Sequence, residues 1–77
     1  MAEPIHLRAR RGVERVLAGR PAGERVPMLE FLRACGGIHW KSIQGALRRL
    51  EAEGRVHVDG WGRIERVTVR EPFEAKP

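Results

Sequence analysis

The sequence has few of the residues that build cross-links, membrane spans or signal peptides. Cys35 is the single cysteine among 77 residues, which excludes a disulfide within the chain and a four-cysteine zinc site. No apolar run approaches the roughly 20 residues of a membrane span. The start of the chain, MAEPIHLRAR, lacks the apolar stretch of a signal peptide. These absences predict a cytoplasmic protein that does not bind membranes.

Motifs for catalysis and for cofactor binding are also missing. His6, His39 and His57 are scattered along the chain without the spacing of metal ligands. Cys35 has no obvious activating partner and stands where a small helix-packing residue is wanted, which favours a structural role. No glycine-rich loop for a phosphate is present. We therefore expect no enzymatic activity, no cofactor and no metal.

Positive charge is what the sequence has in excess. It contains 15 lysines and arginines against 10 acidic residues, a net charge of +5, and only Lys41 and Lys76 are lysines. One interpretation is a basic surface that keeps the protein soluble and reflects GC-rich coding. The other is an anionic partner, most often nucleic acid. Composition alone does not decide between them.

The chain is long enough for one domain, which the apolar pattern places over residues 6–70. Residues 1–5 and 71–77 are predicted to be flexible tails, with folding of Phe73 back onto the core as an alternative. A first helix over residues 6–20 has an apolar face and an arginine stripe opposite. The stripe is interpreted as a solvated face, or else as a second contact for phosphates or an acidic protein. The apolar face comprises Ala9, Val13, Val16 and Leu17, and the stripe comprises Arg8, Arg11 and Arg15.

A second helix is expected to begin at Pro27, which suits the first helical position. It ends at the sequence CGG, where Gly36 is predicted to adopt the left-handed conformation that closes a helix. Its core residues are predicted to include Leu29 and Leu32, with Met28 and Ala34 on the same helix.

A third helix is predicted from His39 or Trp40 to Glu53, and Gly54 ends it. Its start is poorly marked because neither Ile38 nor His39 is a favoured capping residue. Trp40 falls at the edge of the buried face. A turn of about 100° per residue separates an inward set from an outward set. The inward set is Ile43, Leu47 and Leu50, and the outward set is Lys41, Gly45, Arg48 and Ala52, flanked by Gln44 and Arg49.

Two strand-like runs, RVHV and RIERVTVR, close the domain, and DGWG joins them as a hairpin turn of about three to four residues. Val56 and Val58 share one side, as do Val67 and Val69. Ile64 is out of phase, which indicates a bulge near Glu65.

The order of helix, helix, tight glycine turn, helix and basic hairpin resembles a winged helix-turn-helix domain. Residues 42–58, SIQGALRRLEAEGRVHV, resemble the end of the recognition helix and the first wing strand of bacterial winged-helix regulators. The resemblance lies in a leucine pair, Leu47 and Leu50, followed by Glu51, two residues and Gly54. It covers roughly residues 7–69. It implies an α+β fold of three helices with a C-terminal β-hairpin wing, in which the third helix enters the DNA major groove and the wing lies along the backbone or minor groove.

The outward residues have a chemistry that suits this role. Gln44 matches adenine, Arg48 matches guanine and Lys41 matches a phosphate. Gly45 costs about 1 kcal/mol in a helix interior, which a closely approaching DNA strand explains, with drift as the alternative. Trp61 either contacts a sugar or base edge or folds back over Ile64. The predicted DNA-binding residues are Lys41, Gln44, Gly45, Arg48, Arg49, Arg55, Trp61, Arg63 and Arg66.

We therefore expect a small transcriptional regulator or architectural factor that binds double-stranded DNA as a monomer or weak homodimer. The alternative is a protein-docking winged helix that binds an acidic protein through Trp61 and the arginine faces, and RNA is a third candidate partner. Winged helices that bind Z-form DNA also carry a wing tryptophan, but they pair it with a tyrosine and wing prolines. This sequence has no tyrosine and no proline in DGWGR, so Z-form selectivity is not supported.

Overall fold

A computed structural model describes residues 4–60 and 62–74 of the chain. Over these residues the fold is α+β, with three helices and a three-stranded antiparallel sheet. This confirms the predicted class and the predicted helices and hairpin. The elements in chain order are α1 (Ile5–Leu17), β1 (Arg25–Pro27), α2 (Met28–Ala34), α3 (Trp40–Ala52), β2 (Val56–Asp59) and β3 (Arg66–Val69).

Helix α1 buries the face that its apolar spacing predicts. Ala9, Val13 and Leu17 are fully buried, and Val16 is partly buried against them. The helix ends at Leu17 rather than at residue 20, because Ala18 already has an extended backbone and forms a parallel bridge with Phe73. Phe73 is itself buried, so the segment described up to residue 74 folds back onto the core.

The predicted core face of α2 is wrong. Phe31 is fully buried, whereas Leu29 is 53% exposed and Leu32 is 38% exposed. The helix has only 7 residues, so its sequence offers too few turns to distinguish one apolar face from another. Pro27 is also not the first helical residue, since it closes β1 and precedes the helix with an extended backbone. The left-handed glycine after α2 is Gly37, with φ of 85°, and not Gly36.

Helix α3 buries the predicted inward set, since Ile43, Leu47 and Leu50 have no exposed surface. The helix begins at Trp40, and the backbone N–H of Lys41 donates to the His39 imidazole Nδ1 at 3.1 Å. His39 thus caps the helix although histidine is not a favoured capping residue. Trp40 is 37% exposed and lies outside the core cluster, so the prediction of a core-edge tryptophan is wrong.

Strand β3 is central in the sheet, with β1 and β2 on either side. Val67 of β3 lies opposite Val26 and Val58, and all of these side chains face the helices as part of the core. Residues 60–65 connect β2 to β3, which makes the connection longer than the predicted turn. Ile64 lies within this connection, and it is buried. Its break in phase therefore reflects a strand that begins only at Arg66.

Hydrogen bonds join the end of the 60–65 connection to the end of β2 and to the start of α2. The Glu65 N–H donates to the Asp59 carbonyl at 2.7 Å, and the Glu65 carbonyl accepts from the Met28 N–H at 2.9 Å. Trp61 lies outside the described residues. None of the helices described is both long enough and apolar enough to traverse a membrane.

Candidate nucleic-acid interface

The outward surface of α3 is basic and open, as its sequence predicts. Lys41, Gly45, Arg48 and Arg49 are all exposed. Arg48 lies 3.8 Å from the Glu51 carboxylate, a surface ion pair of the kind that contributes little and is easily exchanged. The guanidinium of Arg48 is thus available to an anion that approaches the helix from outside. We call this set of four residues the α3 face.

No contact within the described part of the chain requires a glycine at position 45. An ideal Cβ built on Gly45 would meet no other atom within 4 Å. A glycine at this position loses about 1 kcal/mol of helix stability relative to alanine, without relieving any clash inside the protein. The missing side chain leaves the backbone of α3 accessible at the middle of the α3 face.

The connection between β2 and β3 packs beside the first half of α3. The Gln44 amide Nε2 donates to the Gly62 carbonyl at 2.8 Å. The Arg63 guanidinium lies 5.5 Å from the centre of the Trp40 ring, within the range of a cation–π contact. The Lys41 ammonium lies 5.8 Å from the same ring. These contacts place the exposed Arg63 next to the α3 face and extend that basic surface onto the hairpin.

Gln44 therefore has a partner within its own chain. Its amide nitrogen is committed to Gly62, and its Oε1 is buried with no hydrogen-bond partner among the described residues. A bidentate contact to adenine needs both amide atoms, so it would require release of the connection from α3. The geometry gives Gln44 the task of fixing the connection beside the helix.

The other predicted arginines point to different regions. The Arg55 guanidinium lies 3.9 Å from the centre of the Phe73 ring and 3.7 Å from a Glu14 carboxylate oxygen. It is directed towards the C-terminal segment rather than towards the α3 face. Arg66 is exposed at the start of β3, opposite Asp59. Trp61 was predicted to be at the tip of the hairpin, but this position is not among the described residues.

The acidic residues at the end of α3 are bound to their own chain. Glu53 accepts two hydrogen bonds from the Arg10 guanidinium, at 2.7 and 2.8 Å, and these bonds hold the pKa of the Glu53 carboxyl below its usual value. Glu51 accepts from the backbone N–H of Val58 at 3.1 Å. Both carboxylates therefore fasten α3 to α1 and β2 and are partly neutralised there.

Comparison with protein-family models, with curated proteins and with solved structures finds no match. The proposed function therefore rests on the chemistry of the surfaces described above.

A groove of about 240 Å³ lies along the junction of α1 with α3 and borders the α3 face. His6 and Arg10 line it from α1, and Ser42 and Arg49 line it from α3, with Gly45 between them. Sequence patterns did not identify His6 or Ser42 as part of this surface. Ser42 was recognisable in principle, because it precedes Gly45 by one helical turn. The position of His6 depends on how the two helices cross, which local patterns do not determine.

Cys35 is buried, and burial raises the pKa of its thiol, with the positive charge of Arg15 acting weakly in the opposite direction. A buried thiol with a raised pKa suits packing rather than nucleophilic chemistry. Among residues 4–60 and 62–74, no group of three histidine, cysteine or acidic side chains is arranged to hold a metal ion.

Proposed function

We propose that this chain is a winged-helix domain that binds double-stranded DNA, with the α3 face in the major groove and residues 60–65 as the wing. The order of elements supports the proposal, because the hairpin follows the third helix directly and packs beside it through Gln44 and Gly62. An α-helix fits the width of the major groove, and an adjoining loop then lies over the flanking backbone. A DNA-binding role also agrees with the expected cytoplasmic location.

The observation that carries the proposal is the combination of cations with Gly45 on one exposed helical surface. Lys41, Arg48 and Arg49 surround a glycine that nothing inside the described chain requires. Cations alone are typical of a solvated helix. A bare backbone at the centre of those cations is instead suited to the close approach of another molecule, and the charge selects a polyanion.

The proposed contacts follow from where each group lies. Arg48 and Arg49 are on the part of α3 that would enter the groove, and Arg48 is suited to a bidentate contact with guanine. Lys41 and Arg63 flank Trp40 at the start of the helix, where their charges would meet phosphates. Gln44 acts by positioning the wing. In this arrangement base contacts and phosphate contacts come from different ends of α3.

A salt series of duplex binding tests this function. We expect fluorescence anisotropy with a labelled duplex to give an affinity that falls linearly on a log–log plot between about 50 and about 200 mM salt. Lys41→Ala should reduce the slope by about one unit, because one phosphate contact is lost. Arg33→Ala, which removes an exposed arginine from α2, is the matched control and should leave the slope unchanged. Equal effects of the two substitutions would reject the α3 face as the binding surface.

The protein-docking alternative is separated by the same measurement. A domain that binds only an acidic protein would show no duplex binding at the lowest salt concentration. RNA binding would appear as stronger competition for the labelled duplex by single-stranded or A-form RNA than by the unlabelled DNA duplex.

A further inference from the structure

A second basic surface lies on the other flank of α1. An open groove of about 460 Å³ runs between α1 and the turn that joins α2 to α3. Arg8, Arg11 and Arg15 form one wall, and residues 34–36 and 38 form the other. The arginines follow each other at spacings of three and four, which places them along one helical stripe. We call this feature the arginine groove.

The arginine groove is separate from the α3 face. At about 100° per residue, Arg8, Arg11 and Arg15 lie within a narrow arc of α1, whereas Arg10 points about 100° or more away from that arc. Arg10 borders the groove beside α3 and binds Glu53. The body of α1 therefore stands between the two surfaces, so an anion held in the arginine groove would leave the α3 face open.

The two walls of the arginine groove differ in chemistry. The α1 wall has the exposed arginines, while Gly12 on α1 and Cys35 and Ile38 on the opposite wall contribute small or apolar surface that is less exposed. Among the described residues that line it, none is acidic. The phosphates of a nucleic acid would bind the arginines, but only its sugars or base edges could cover the apolar surface. A peptide with both carboxylates and aliphatic side chains satisfies both walls, because guanidinium groups bind carboxylates in pairs of parallel hydrogen bonds.

We propose that the arginine groove binds an acidic segment of another protein, in which aspartate or glutamate alternates with aliphatic residues. The carboxylates lie along Arg8, Arg11 and Arg15, and an aliphatic side chain enters beside Ile38. The site is independent of the proposed DNA-binding function, since it uses none of the residues of the α3 face. If both surfaces act, the domain links a nucleic acid to a second protein.

Two synthetic peptides with equal numbers of aspartates test the proposal. In one peptide leucine alternates with aspartate, and in the other serine replaces leucine. We expect the Asp/Leu peptide to shift the backbone amide NMR signals of residues 8–15 and 34–38. It should bind several-fold more tightly than the Asp/Ser peptide, because an aliphatic side chain is partly removed from water beside Ile38. Equal affinities, or shifts centred on α3, would overturn the proposal.

Charge variants locate the site. Replacing Arg8, Arg11 and Arg15 together by glutamine should weaken binding of the Asp/Leu peptide about tenfold, from the summed loss of exposed ion pairs. The matched control replaces the exposed Arg25, Arg33 and Arg70 by glutamine and removes the same charge elsewhere. It should change the affinity less than twofold. Ala34→Glu adds a carboxylate to the opposite wall at an exposed position and should weaken binding without removing any arginine.

A short DNA duplex is the competing probe in the same NMR experiment. We expect it to shift signals of α3 and leave those of the arginine groove unchanged. Duplex-induced shifts in residues 8–15 and 34–38 that disappear in the triple glutamine variant would make the groove a phosphate-binding surface and reject the peptide. If the wild-type protein binds the Asp/Leu peptide but not the duplex, that result rejects the proposed function and supports this site.

Discussion

Gly12 in α1 and Gly45 in α3 are both glycines in the interior of a helix, but their surroundings differ. A Cβ on Gly12 would lie 2.6 Å from the Cys35 sulfur, so any larger residue there would force the Cys35 side chain to shift. A Cβ on Gly45 would meet nothing within 4 Å. Packing against Cys35 accounts for the first glycine, whereas no contact among the described residues accounts for the second. The comparison separates positions determined by packing from positions open to a partner.

The largest expected effect lies on the packed side of this comparison. Leu47 is fully buried, and Leu47→Ala should lower the free energy of unfolding by about 2–5 kcal/mol, because it removes apolar contacts and leaves a cavity. Leu32→Ala on the exposed face of α2 is the control and should cost less than about 1 kcal/mol. Urea unfolding followed by circular dichroism measures both. A larger loss for Leu32 than for Leu47 would reverse the assignment of inside and outside.

Gly12→Ala should come next. The added methyl group must displace the Cys35 sulfur, and overpacking of this kind costs about 1–3 kcal/mol, partly offset by the better helix propensity of alanine. Cys35→Ala removes the obstructing sulfur, so the double variant should be more stable than the sum of the two single effects implies. Thermal unfolding of the four proteins of this cycle gives the coupling. Strict additivity would mean that Gly12 and Cys35 do not restrict each other.

Gly45→Ala should act in the opposite direction. Its methyl group meets no neighbour, so the helix gains up to about 1 kcal/mol of stability. On the proposed DNA-binding surface, however, the same methyl group would obstruct the approaching backbone and weaken duplex binding. A melting temperature that rises together with a reduced affinity supports the comparison. If the melting temperature and the duplex affinity both rise, Gly45 does not serve DNA binding.

The smallest effect concerns the pairing of α1 with the end of α3. Hydrogen bonds from Arg10 hold the pKa of Glu53 below its ordinary value of 4.5. A carboxyl group with a lowered folded-state pKa stabilises the fold above its unfolded pKa and loses that contribution as the pH falls through the folded value. Wild type should therefore melt slightly above Glu53→Gln at pH 7, and this difference should shrink as the pH falls below 4.5 and vanish below the lowered pKa of Glu53. A difference that persists in acid would assign the effect to packing.

The sequence was sufficient to predict the faces of α1 and α3. Each helix has 13 residues, so several turns agree on the position of Val13 or of Leu47. Helix α2 has only 7 residues, too few for its apolar spacing to identify one buried face. Tertiary packing buries Phe31 and leaves Leu29 and Leu32 exposed. Strand β1 was equally hidden, because its 3 residues pair with β3 near the other end of the chain.

The candidate site divides in the same way. The exposure of Lys41, Gly45 and Arg48 follows from helical periodicity, and the sequence predicted it. The contacts of Arg63 with Trp40 and of Gln44 with Gly62 depend on how a long connection folds back onto a helix. Residue types alone do not encode that arrangement. Arg55 was assigned to the DNA surface by its place before the hairpin, but its ring contact with Phe73 directs it to the C-terminal segment.

The buried thiol of Cys35 also provides a natural probe for local opening between α1 and the end of α2. Cys35 is the single cysteine in the chain and is 4% exposed, so we expect a thiol reagent to react faster with molecules in which α1 and the end of α2 have moved apart. The labelling rate under native conditions thus counts the rare opened molecules without a spectroscopic probe or an added mutation. Because Cys35 also lines the arginine groove, anything seated there would slow the labelling, and mass spectrometry of a crude mixture would register its presence.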